Sequence, residues 1–226
     1  MAQLEEKKID FQTWTDLTLS YKFNQKFSIG GDLGSRGIIS SKDWTMFYIR
    51  PKARYVFSPI FNTAGGLGYF YTSNKEVDDS SELRFYQDFH VNWPDLGFFV
   101  LQHRVRFEQR FFNYENLEND FDARTRYQVK LQSRDFHLFN AERPFYLNAM
   151  VEGFIPFNES AQERFVNNAR FNAGLGKRFS EKLRLEFFYI WQKSRQLAED
   201  GFETSEHIFR IKFLYNLNLI ESNEEN

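Results

Sequence analysis

Polar and apolar residues alternate with a period of two along most of the chain. In "LQHRVRFEQRFF" (101–112), Arg104, Arg106, Glu108 and Arg110 fall on one parity, while Leu101, Val105, Phe107 and Phe111 fall on the other. Successive side chains of a strand point to opposite faces, so this segment reads as a strand with one charged and one greasy face. The same reading predicts strands at 11–23, 26–36, 44–57, 60–72, 81–93, 97–111, 120–132, 145–157, 163–179, 182–194 and 204–217. Helical spacing is nowhere sustained. Most of these runs exceed the five or six residues usual in soluble sheets and reach the ~9 to 11 that cross a bilayer at a tilt.

The links carry a second pattern. Tight turns at "NQ" (24–25), "SP" (58–59), "PD" (94–95) and "SE" (180–181) alternate with the longer polar links "GIISSKD", "SNKEVDDS", "NYENLEN", "NESAQ" and "RQLAEDGFE". Outer-membrane barrels show this alternation of brief periplasmic turns and longer outer loops. One link, "SRDFHLFNAERP" (133–144), is too long for its place. No repeat, linker or low-complexity tract divides the chain. The organisation expected is an N-terminal segment 1–10, a barrel over 11–217 and a polar tail 218–226.

Sorting the strands by face decides between architectures. One face is aromatic and aliphatic almost throughout, with Lys177 and Lys193, near strand ends, as its clear formal charges. The opposite face carries 18 Lys and Arg against 10 Asp and Glu, among them Asp16, Arg36, Lys52, Lys130, Arg164 and Lys212. A soluble antiparallel sandwich with wet outer faces gives the same alternation. Strand length, regular links and aromatics gathered toward strand ends favour a barrel instead, and so many large rings fit only its outer surface. The expected fold is all-β: a single antiparallel transmembrane β-barrel with a polar, charged lumen and an aromatic, lipid-facing exterior. Bacterial barrels have even strand numbers, so about twelve strands are expected, with ten as the alternative; the long link or the N-terminal segment would hide the missing one.

Composition supports this and removes other classes. The 226 residues include 28 Phe, with 19% aromatic and 27% charged residues, at a mean hydropathy of -0.59. No window approaches the roughly 18 to 20 apolar residues of a spanning helix. There is no cysteine, which removes disulfide and thiolate chemistry. A formal net charge of -2 gives no push toward nucleic acid, and none is expected as a partner. The start "MAQLEEKK" has no basic stretch followed by an apolar run, so no secretory signal is read there. The location expected is nevertheless the bacterial outer membrane.

The segments "DFQTWTDLTLSYKFNQKFSI", "HRVRFEQRFF", "RTRYQVKL", "ARFNAGLGKRFSEKLRLEFFYIWQ" and "HIFRIKFLYNL" together resemble a family of small outer-membrane β-barrels of unknown function, common in Bacteroidota. The resemblance spans nearly the whole chain. It implies an envelope location and a barrel of roughly a dozen strands, and transfers no catalytic residues. Phe213 and Tyr215 in the last predicted strand also resemble the C-terminal signal read by barrel-assembly machinery, although "NLNLIESNEEN" follows instead of a terminal aromatic.

Candidate chemistry lies in the lumen. Neighbouring strands are expected to bring Arg104, Arg106 and Arg110 beside Arg84, Asp88, Asp122, Arg124 and Arg126, with Glu82, Glu108, Glu152, Glu186 and Glu206 as bidentate partners and Arg170 and Arg210 on the same face. One reading is a structural ion network. The other starts from the inward cation excess and gives a narrow anion-favouring pore or ligand pocket. Ser205 and His207, two apart, raise a lipid-face hydrolase, but no third orienting residue is evident, and His103 and His90 are equally lone. No His/Cys spacing suits a metal, and "GGLG" (65–68) suits close backbone packing in a strand, so no metal or cofactor is expected. The partners expected are outer-membrane lipid, the barrel-assembly machinery and an outer-membrane protein; the role expected is structural, anchoring or accessory, without catalysis.

Overall fold

The computed structural model describes residues 10–39, 44–75, 78–94, 96–115, 118–138, 143–157, 169–195 and 202–218. Within them eleven strands follow in order: β1 (Asp10–Lys22), β2 (Phe27–Ile38), β3 (Trp44–Val56), β4 (Phe61–Asn74), β5 (Ser80–Asn92), β6 (Phe99–Tyr114), β7 (Asp120–Ser133), β8 (Phe145–Pro156), β9 (Ala169–Arg178), β10 (Leu183–Arg195) and β11 (Phe202–Asn216). They close into one barrel in which sequence neighbours pair antiparallel. The seam is parallel, running from Asp10↔Glu206 to Ser20↔Asn216.

Eleven strands, and not the expected twelve or ten, close the ring. An odd count leaves the first and last strands pointing the same way, and evenly spaced parallel hydrogen bonds join them without a further strand. Among its described residues, the long link after β7 supplies an isolated bridge, Phe136↔Phe145. Residues 1–9, 139–142, 158–168 and 219–226 lie outside the described residues, and with them the N-terminal segment, the early part of the strand expected from 163, Arg164 and most of the tail.

Three of the short turns are built by one local device, readable as "FNQKF", "FSPIF" and "FSEKL". The Asn24 Oδ1 accepts the backbone N–H groups of Lys26 and Phe27 at 2.9 and 2.8 Å. Ser58 Oγ accepts those of Ile60 and Phe61 at 3.3 and 3.0 Å, and Ser180 Oγ those of Lys182 and Leu183 at 3.2 and 3.0 Å. A short polar side chain that satisfies turn amides fixes the register of the hairpin it closes. The β5–β6 turn differs, using Gly97 at φ 75°, where a side chain would be strained.

Burial follows the alternation. In β6, Arg106, Glu108 and Arg110 are 7%, 1% and 4% exposed, whereas Phe107 and Phe111 are 42% and 44% exposed. The exposed wall has aliphatic residues such as Leu33, Ile49, Leu67 and Val151 at mid-strand, and aromatic residues such as Phe23, Phe57, Trp93 and Phe179 toward the short turns. The outward lysines rest on rings: Lys193 Nζ lies 4.2 Å from the Trp191 centroid, and Lys177 Nζ lies 5.1 and 5.2 Å from those of Phe145 and Phe179.

Large rings also fill the interior, which the sorting by faces did not anticipate. Trp14, Tyr48, Phe70, Tyr86, Tyr146, Phe154 and Phe188 are all buried. Four of them stand directly across from glycine: Tyr48↔Gly34, Tyr86↔Gly66, Phe188↔Gly174 and Tyr146↔Gly176. A Cβ on Gly174 would come within 2.3 Å of Phe188 Cδ1, and one on Gly176 within 2.2 Å of Tyr146 Cζ. Each glycine therefore opens the space in which a neighbouring ring lies flat against the wall. "GGLG" serves in this way through Gly66, under the Tyr86 ring, and Gly68, against Phe70.

Candidate functional site

The registers of β5, β6 and β7 set two pairs of like charges directly opposite each other, Arg84↔Arg110 and Arg106↔Arg126. Unscreened, such pairs oppose strand pairing. Each is bridged by a carboxylate. Glu82 accepts Arg84 Nε at 2.7 Å and Arg110 Nε at 2.8 Å, and Glu108 lies 3.6 Å from Arg106 Nη1 and 3.0 Å from Arg126 Nη1.

Glu108 is the centre of the arrangement. Besides Arg106 and Arg126 it takes Arg124 Nε at 2.7 Å and faces Arg84 Nη1 at 3.5 Å, so one carboxylate is shared among four guanidiniums. From it the contacts run on without a break. Arg126 also binds Glu152 at 2.7 Å, which binds Arg104 at 2.6 Å and lies 3.8 Å from Arg170. Arg106 holds Asp88 bidentately at 2.6 and 2.8 Å, and Arg110 reaches Asp122 at 3.1 Å.

The structure thus joins Arg84, Asp88, Arg104, Arg106, Glu108, Arg110, Asp122, Arg124, Arg126, Glu152 and Arg170 in one set of contacts, with Glu82, His90 and Gln192 drawn in. His90 Nε2 lies 3.8 Å from Asp88, and Arg170 donates to Gln192. Glu186 and Arg210 stand apart from it. Glu186 accepts from Tyr146 OH at 3.0 Å and Asn148 Nδ2 at 3.4 Å, and Arg210 pairs with Asp16 across the seam.

The guanidiniums are also bounded by rings. Arg84 lies 4.2 Å from the Phe70 centroid, Arg106 4.3 Å from Tyr86, Arg110 4.5 Å from Phe112, and Arg126 and Arg170 each 4.8 Å from Phe154. An aromatic face attracts a guanidinium without requiring a counter-charge. Sequence alternation alone did not find these rings, because their role depends on which strands pair and in what register.

The histidines do not assemble a catalytic group among the described side chains. On the outer wall, His207 Nδ1 is hydrogen-bonded to Tyr189 OH at 2.5 Å, and its ring stacks on Phe11 at 5.2 Å. His103 repeats the hydrogen bond with Tyr127 OH at 2.6 Å, and the Trp93 ring lies tilted against it at 5.9 Å. The side chain of Ser205 lies outside those described. Its backbone falls at the register shift between Gln192↔Glu206 and Lys193↔Thr204, a bulge that interrupts the alternation linking it to His207.

At the long-link rim, Asp79 caps β4. Tyr71 OH donates to its Oδ2 at 2.5 Å and the Asn74 N–H to its Oδ1 at 2.9 Å. The Tyr71 hydroxyl, with the Asn74 amide, holds the Asp79 carboxyl below the usual carboxylate range.

Residues 11–203 match a protein family described as "Protein of unknown function (DUF2490)". No curated protein matches. Among solved structures, the chain is similar to the β domain of the Bordetella autotransporter BrkA, with a TM-score of 0.52 and 13% sequence identity over 84% of this chain and 82% of that one. At this identity the likeness is one of fold.

Proposed function

The chain belongs to the DUF2490 family of proteins of unknown function, and we propose that it is an outer-membrane β-barrel that serves as a structural anchor or accessory subunit, its lumen closed by its own side chains. The membrane location is supported by the wall. A water-soluble monomer seldom exposes a contiguous apolar patch beyond a few hundred Å², whereas residues such as Phe47, Ile49, Tyr69, Phe89, Val151 and Phe187, each about half exposed, surround this barrel. Strands of 10 to 16 residues cross a bilayer at a tilt. An outward apolar band with aromatic girdles is what lipid requires.

One observation carries the closed lumen: Glu108, 1% exposed, is surrounded by Arg84, Arg106, Arg124 and Arg126. Charged groups packed to this degree hold one another in place and leave no room for hydrated ions between them. In this reading the charges act as a rigid filling, and contact with other proteins falls to the loops and the aromatic wall. Lipid surrounds the barrel, and assembly machinery inserts it. Planar-bilayer recording with the purified chain tests the proposal. The expected result is no steady conductance above the lipid background. A stable anion-selective current that falls in Arg104→Gln/Arg106→Gln would replace it with a narrow anion-favouring pore.

A further inference from the structure

The outer wall carries two carboxamides that their own barrel leaves unserved. Gln87 on β5 and Gln109 on β6 are exposed at outward positions, and neither has a hydrogen-bond partner among the described residues. They are diagonal neighbours, because Gln87 stands across from Phe107 and Phe85 across from Gln109. Outward rings flank them on both sides along the strands: Phe89 lies against Phe107 at 6.4 Å and Phe85 against Phe111 at 5.9 Å. The amides therefore sit inside the apolar band, where an unmet polar group is costly. Even joined to each other they would keep most of their N–H donors unused. Thr63, also outward, shows the ordinary solution, its hydroxyl donating to the Asp88 carbonyl at 2.8 Å.

The same face is notched beside Gln87. The registers set Ala53, Gly65, Gln87 and Phe107 in one row across β3 to β6. A cleft of about 230 Å³ opens at Ala53, Gly65 and Gln87 between the rings of Phe27, Tyr55 and Phe89. The barrel does not itself need glycine at 65. A Cβ there would meet the Tyr86 carbonyl oxygen at 4.0 Å and nothing nearer, whereas one on Gly66 would strike the Tyr86 hydroxyl at 2.5 Å. A strand glycine without an internal reason suits a surface approached closely from outside.

This combination fits a second copy of the chain. A carboxamide is both donor and acceptor, so it pairs with its own image. A two-fold axis along the membrane normal beside Gln87 brings the two Gln87 side chains together and turns the Gly65 side of each copy toward the Phe107 side of the other. Acyl chains could fill the cleft, but they offer the amides no partner. We propose that two copies of this chain pair in the membrane through the β3–β6 wall, with the Gln87 and Gln109 carboxamides hydrogen-bonding across the two-fold axis beside the Ala53–Gly65 cleft. The pairing rests on the outer-membrane reading above and adds a partner to it. It depends on density: barrels diluted into excess lipid stand alone, with the whole wall on acyl chains.

Energy transfer between donor- and acceptor-labelled full chains, in vesicles of falling lipid-to-protein ratio, tests the pairing. The label is carried by Ile211→Cys on β11, across the ring from β5 and the single cysteine of the chain. Its quenching by brominated acyl chains reads membrane insertion separately. Transfer that saturates at two chains per complex is expected. Gln87→Leu/Gln109→Leu, or Gly65→Leu, should move half-dissociation about tenfold toward higher density, and Val151→Leu on β8 should leave it unchanged. Leucine suits lipid at 87 and 109, and position 65 has room for a side chain, so these variants keep the fold. A quenched label without transfer above random proximity at any density overturns the pairing, leaves the cleft to acyl chains and keeps the membrane reading. Saturating transfer that neither variant weakens places the contact on another face and also overturns the proposal. An unquenched label overturns the membrane reading and the pairing with it.

Discussion

The walls on the two sides of this lumen are filled by different means. From β5 to β8 the interior is a sheet of guanidiniums and carboxylates, in which Glu82, Asp88, Glu108, Asp122 and Glu152 each meet at least one arginine. From β9 through the seam to β1 a buried apolar cluster of Trp14, Phe188, Ile190 and Ile208, with Met150 packed against it, sits among separate polar groups such as Gln12, Asp16, Asn172 and Glu186. Both walls come from the same outward-inward alternation. The difference shows that parity decides only which side chains enter the lumen. Cross-strand register then decides whether they meet as ions or as rings over glycine.

The largest effect that separates the two walls is expected at their centres. Glu108→Gln leaves four guanidiniums around a neutral amide, and breaking a buried ionic arrangement from one side costs about 3 to 5 kcal/mol. Ile190→Ala, in the apolar cluster, costs about 2 to 5 kcal/mol through lost burial and a cavity. Urea unfolding in lipid vesicles measures both. A Glu108 variant as stable as wild type would mean that the charged wall contributes no rigidity.

Next in size is the fit of rings over glycine. Gly174→Ala forces a methyl group into Phe188, an overpacking of about 1 to 3 kcal/mol. Combining it with Phe188→Leu should recover part of that loss. If the double variant loses the sum of the two single effects, Gly174 is not there to receive the ring.

The smallest effects belong to the turns, which set the registers that distinguish the walls. Asn24→Ala, Ser58→Ala and Ser180→Ala each remove amide acceptors and should each cost about 0.5 to 1.5 kcal/mol. The Asn24 and Ser58 turns adjoin, with the Val56 N–H bonded to the Lys26 carbonyl, so these two effects should couple in the double variant.

Much of this architecture is legible in the chain, and the limits have physical causes. Parity placed Arg106, Glu108 and Arg110 inside and Phe107 and Phe111 outside, because strand side chains alternate whatever their partners. It did not place Arg84, Arg106, Arg124 and Arg126 around Glu108 specifically, nor leave Glu186 with Tyr146 and Arg210 with Asp16, because those contacts need the registers of several strands at once. The buried Tyr48, Tyr86, Tyr146 and Phe188 were hidden for the same reason, since each is accommodated by a glycine distant in sequence. The expected even strand count failed at the seam, where β1 and β11 pair in parallel and need no twelfth strand between them.

If one face of β6 meets lipid while the other is sealed, a nitroxide scan from position 104 to 111 of the barrel in vesicles reads both at once. Labels at 105, 107, 109 and 111 should be relaxed by oxygen, which partitions into lipid, and labels at 106, 108 and 110 should be protected from both oxygen and a water-soluble nickel chelate. Strong relaxation by the nickel chelate at 106, 108 and 110 would show a water-filled lumen. The same response at 107 and 111 would show that the aromatic wall does not face lipid.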